Sequence, residues 1–220
     1  MKHFKNPLHI SLISGLVLLY VTFLAQDIFS AVNIIPAIYL KYASIMLCFL
    51  LAFSLYTKSS DKKDSKYVVL ALLLTLIADI FLIFTSHYSA GVFFFCLVQL
   101  TYLKRHNTRF FMTGLQFIPV AALAYFFMPL DFLYIIAGLY GALILTCFIS
   151  SFKTTLPKFN KMAIRIGLIL FILCDIHVAL FNLLPRSHNY FAIAAVAMWF
   201  FYLPSQVMLA FSAGHFKKTA

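Results

Sequence analysis

A chain of 220 residues in which 64% are apolar and 10% charged, with a mean hydropathy of +0.98, is too greasy for a soluble domain, where about a quarter of residues carry charge. Its net charge of +11 does not point to a nucleic-acid partner, because the basic residues sit in short breaks between apolar runs and build no basic, aromatic face. Two-residue alternation is lacking, which excludes a β-barrel and leaves an all-α membrane protein as the expected fold class.

Apolar runs of roughly 20 residues, enough to cross the hydrocarbon core, predict eight transmembrane helices in one bundle, forming a single domain over 1–220. The first, 8–29, follows the basic start MKHFKNPLH. It is longer than a signal-peptide core of about 7 to 15 residues and is expected to be retained, although IFSA resembles a cleavage site. The second, 36–56, opens near Lys41 and ends at TKSSDKKDSK. The third, 67–85, holds Asp79 inside LLLTLIADIFLIF, and FTSHYSAG parts it from the fourth, 88–103. After KRHNTR comes 110–128, closed by Pro129 and Asp131, and then 132–152, closed by KTTLPKFNK. The seventh, 162–184, holds Asp175 inside LILFILCDIHVALFNLL; PRSH leads into the eighth, 189–211. Cys48, Cys96, Cys147 and Cys174 fall singly in four different runs, as packing residues do, without disulfide or zinc spacing.

With the N-terminus inside, the inner segments collect Lys2, Lys5, Lys58, Lys62, Lys63, Lys66, Lys104, Arg105, Arg109, Lys153, Lys158, Lys161, Arg165, Lys217 and Lys218, and the outer loops hold only Arg186. This bias predicts both termini in the cytoplasm and an even number of spans. No targeting segment is evident, so a bacterial inner membrane is the default location.

The basic residue outside that tally is Lys41, which shares an outer-leaflet layer, roughly 7 to 14 Å below the boundary, with Asp79 and Asp175. A charge near the bilayer centre costs about 2.5 to 3.5 kcal/mol, so such groups usually face one another or a watered cavity and mark function. Helical spacing extends each into a polar stripe: Thr75, Asp79 and Ser86; Asp175 and Asn182; Lys41, Ser44 and Cys48. Helix 4 aligns Gly91, Phe95, Gln99 and Tyr102, and helix 8 aligns Trp199, Tyr202 and Gln206. A single glutamine or tyrosine is more often a helix contact, worth about 0.6 kcal/mol. Two carboxyl groups sharing one lysine are harder to explain as packing, and a carboxyl kept neutral in a low dielectric can serve as a general acid. His177 points away from the Asp175 stripe and reads as a helix contact; His87 and His188 lie at the rim without ligand spacing, so no metal is expected.

The order of these short motifs resembles the YhhN-like family of eight-helix membrane proteins, which includes the lysoplasmalogenases, over about residues 36–211. Lys41 stands with Tyr42 where the family has Lys-Pro, and Ala78-Asp79 where it has Gly-Asp. Gly91, Phe95 and Gln99-Thr-Leu-Tyr102 follow its helix 4 pattern with glutamine in place of histidine. Phe171 and Cys174-Asp175 match a Phe…Ser-Asp pattern, and Tyr202 and Gln206 match Tyr-x-x-x-Gln.

The resemblance implies hydrolysis of the vinyl ether of a lysoplasmalogen, releasing a fatty aldehyde and a glycerophospho head group. That chemistry asks for a proton donor at the alkenyl carbon, a carboxylate to steady the cation and orient water, and an apolar slot. It uses no cofactor and no metal. Asp79 and Asp175 are the expected catalytic pair; Lys41, Gln99, Tyr102, Tyr202 and Gln206 are expected to bind substrate or support it, Lys41 by meeting the lipid phosphate or holding one aspartate ionised. The partners are then a lysophospholipid substrate and membrane lipid. The same intramembrane acids also fit a proton-coupled transporter, and Gln99 fits a lysolipid-binding protein without turnover.

Overall fold

The computed structural model describes residues 6–29, 35–106, 108–128 and 130–214. Lys2, Lys5, Lys217, Lys218, Pro129 and the end of IFSA lie outside the described residues. Among those described, the chain forms eight α-helices and no strand: α1 (Pro7–Phe29), α2 (Ala37–Lys58), α3 (Lys62–Phe84), α4 (Tyr88–His106), α5 (Thr108–Phe127), α6 (Phe132–Ser150), α7 (Lys158–Leu183) and α8 (Tyr190–Phe211). Seven of them are long and apolar enough to cross a membrane. The chain is a multi-pass membrane protein. The eighth, α4, falls short because it carries Gln99, Tyr102 and the terminal run Lys104, Arg105 and His106.

Three helices extend beyond their apolar runs. Asp61 caps α3 by accepting from the Asp64 backbone N–H at 2.9 Å, so the polar turn Lys62–Lys66 is already helical. α4 continues through its basic last turn, where positive charge suits the carbonyl end of a helix, and α7 starts directly after Pro157. Hydropathy is blind to such turns because their side chains are polar.

Side-chain contacts fix how the helices alternate. His9 of α1 meets Ser54 near the end of α2 at 3.0 Å, and Ser65 at the start of α3 donates to the Ala213 carbonyl after α8. His106 at the end of α4 meets Ser150 at the end of α6 at 2.7 Å, and Asn160 in α7 donates to the Ser212 and Gly214 carbonyls. The starts of the odd helices and the ends of the even ones therefore gather at one end, which also carries the described lysines and arginines except Lys41 and Arg186. At its centre the buried Arg105 guanidinium holds Asp64 through three bonds of 2.7 to 3.1 Å and donates to the Ser212 hydroxyl and carbonyl.

Helices α2, α3, α4, α6, α7 and α8 succeed one another around an interior, with α1 outside against α2 and α8, and α5 outside against α4 and α6. The α6–α7 seam is much the loosest junction of this ring. By contrast α3 and α4 are pressed together at Gly91, where a Cβ would lie 2.5 Å from Leu82 Cγ and 3.1 Å from the Ala78 carbonyl. Pro204 lacks the N–H that would bond the Phe200 carbonyl, and the Tyr20 hydroxyl of α1 donates to that carbonyl instead, at 2.8 Å. One proline thereby anchors α1 to α8.

Candidate functional site

Asp79 lies in the apolar middle of α3, only 3% exposed, on the face that α3 turns to the interior. A carboxyl there requires a partner. Tyr202 of α8 supplies it, its hydroxyl lying 2.9 Å from both carboxyl oxygens. Asp175 of α7 is half-buried beside the loose α6–α7 seam, and the Tyr140 hydroxyl of α6 donates to it at 2.8 Å. The interior thus holds two aspartate–tyrosine pairs drawn from four helices.

The two pairs share one aromatic chamber. Phe95 of α4 and Phe171 of α7 stand 5.6 Å apart, ring centre to ring centre, and each touches both tyrosines: Phe95 reaches Tyr140 at 5.9 Å and Tyr202 at 6.5 Å, Phe171 at 6.5 Å and 5.7 Å. Cys174, the residue before Asp175, is a buried thiol. Trp199 closes the chamber edge-on against Tyr202 at 5.2 Å. The rings give both carboxyl groups an apolar surround, in which their phenols are the hydrogen-bond partners shown.

Lys41 departs from the expectation that it holds one of these aspartates. Its ammonium pairs with Asp27 of α1 at 2.8 Å, 5.1 Å from the Trp199 ring centre and 5.9 Å from that of Phe23. Asp27 sits in the last turn of α1, close enough to the end of the apolar run to pass for a loop residue. Tyr140 is likewise absent from the residues the sequence singles out; the available signal is that it is a phenol at the apolar middle of α6.

Gln99, Tyr102 and Gln206 all point inward and are at most 1% exposed. Neither polar atom of the Gln99 amide, nor the Tyr102 hydroxyl, nor Gln206 Nε2 has a hydrogen-bond partner in the protein. Ser86 and Asn182, placed on the aspartate stripes by spacing, are exposed beyond the chamber. His177 is the helix contact it was expected to be, meeting the Tyr190 hydroxyl at 3.1 Å and the Leu173 carbonyl at 2.7 Å. The four cysteines are buried thiols.

The model of the YhhN family matches residues 37–213, from the first turn of α2 to the end of α8, and so takes in every residue of the chamber. No curated protein and no solved structure matches the chain. The chain belongs to the YhhN family.

Proposed function

We propose that this YhhN-family protein is a membrane hydrolase of the lysoplasmalogenase type, which cleaves the vinyl ether of a lysophospholipid. The observation that carries the proposal is the pair of carboxyl groups, each held by a phenol, across one aromatic chamber. The alkenyl chain lies among Phe95, Phe171, Tyr140 and Tyr202. One carboxyl gives its proton to the alkenyl carbon farther from oxygen, and the resulting oxocarbenium ion is steadied by the other, ionised carboxylate. Water adds to the cationic carbon and loses a proton to a carboxylate. The hemiacetal then breaks its bond to the glycerol oxygen, which takes up a proton, leaving a fatty aldehyde and a glycerophospho alcohol.

Tyr140 and Tyr202 keep the two carboxyl groups oriented, and the loose α6–α7 seam is where a lipid chain passes from the bilayer to Asp175. The membrane we propose is a bacterial inner membrane, with the basic end of the bundle facing the cytoplasm. Purified protein given a lysoplasmalogen is expected to release aldehyde, and to leave an ester lysolipid of equal chain length intact. Equal turnover of both, or of neither, contradicts the proposal. The unpartnered Gln99, standing where the family carries histidine, favours a second reading in which lysolipid binds without turnover; binding with no aldehyde release selects it.

A further inference from the structure

We infer that the interior between α4 and α8 binds a file of water molecules leading from the basic end to Asp79. Phe95 and Tyr202 touch across that interior. One turn nearer the basic end, on the same faces, stand Gln99 of α4 and Ser205 and Gln206 of α8, with Thr75 one turn below Asp79 on α3, all at most 1% exposed. The α4 stripe continues to Tyr102 and then to His106, whose rings stack 6.4 Å apart. His106 Nδ1 is taken by Ser150, but Nε2 is not.

Gln99 Nε2 and Oε1, Ser205 Oγ, Gln206 Nε2, Tyr102 OH and His106 Nε2 are all buried without a protein partner. Gln99, Tyr102 and His106 succeed one another along α4, and Ser205 and Gln206 stand together on α8. A glutamine that merely staples helices has a protein group to bond; here both ends of one amide have none. Buried donors and acceptors are costly when dry, and a buried water satisfies about three of them. The ligand is water and not a head group, because Gln99, Tyr102, Ser205 and Gln206 are buried and none of them carries a charge to meet one.

Under the hydrolase reading proposed above, the file supplies the water consumed in each turnover and makes Asp79 the carboxylate on the water side. Asp175, at the seam, then faces the arriving chain.

X-ray hydroxyl-radical footprinting of the full-length protein in H2(18)O tests the file without reference to activity. Tyr102 is expected to take up label several-fold faster than Phe23, an equally buried ring away from the file, and Gln99→Leu to abolish the difference. Label at Tyr102 no faster than at Phe23 overturns the inference. In the aldehyde assay, Gln99→Leu and, as a second variant, Gln206→Met are expected to lower kcat about tenfold or more with KM within about twofold. Unchanged kcat in both overturns the delivery role. A labelled wild type that releases no aldehyde keeps the file and sinks the hydrolase reading alone.

Discussion

Replacing Arg105 by methionine is expected to be among the most damaging single changes in the bundle, although it lies far from the chamber. The Arg105 side chain is 0% exposed and that of Asp64 9%, and the guanidinium ties α4 to the first turn of α3 and to Ser212 beyond α8. Removing it takes three hydrogen bonds from a buried carboxylate and two from Ser212. Breaking a buried pair from one side costs about 3 to 5 kcal/mol. Replacing both partners by apolar residues removes the buried carboxylate together with its cation, so Arg105→Met with Asp64→Leu should recover most of that loss. Arg105→Lys should fall between, since an ammonium cannot reproduce the fork. Denaturant unfolding in detergent, followed through the fluorescence of Trp199, the single tryptophan, reads each difference as a shift in midpoint. A loss below about 1 kcal/mol for Arg105→Met, the value of an exposed pair, or a double variant as unstable as the single one, would refute the buried-clamp reasoning.

Tyr202→Phe and Tyr140→Phe keep the ring contacts of the chamber and delete one hydroxyl each; we expect about 1 to 3 kcal/mol lower stability and a clear fall in kcat, checked by unfolding and by aldehyde release side by side. Lys41→Met should cost about 1 to 3 kcal/mol, because the pair with Asp27 is only 14% and 18% exposed, and kcat should fall less than about threefold because Asp79 and Asp175 keep their phenols. A large kcat loss would restore Lys41 to the aspartates. Gly91→Ala forces a methyl into Leu82 and towards the Ala78 carbonyl, so we expect about 1 to 3 kcal/mol of destabilisation with reduced activity, as α3 shifts beside Asp79; a neutral thermal shift contradicts the close α3–α4 contact.

The eight helices and their order are legible in the sequence because bilayer-length apolar runs leave little choice of structure. The polar helix ends were not. Asp64 falls in the break TKSSDKKDSK and Arg105 in the tally of inner basic residues, yet they form the buried clamp, because their partners come from three helices at once. Asp79, Asp175, Phe95 and Tyr202 take the inward faces that their helical stripes assign, since spacing tells which face a residue takes. What spacing cannot tell is which neighbour that face meets. Lys41 found Asp27, and Asp175 found Tyr140, because α1 packs on α2 and α6 stands beside α7, neighbour relations that no single helix encodes.

The central claim is that two carboxyl groups act on one vinyl ether. The most direct measurement is aldehyde release from lysoplasmalogen by the purified protein and by Asp79→Asn and Asp175→Asn, each shown to fold by its unfolding midpoint. The account predicts that both variants lose about a hundredfold or more of kcat while still binding lysolipid. Full activity in either one contradicts it.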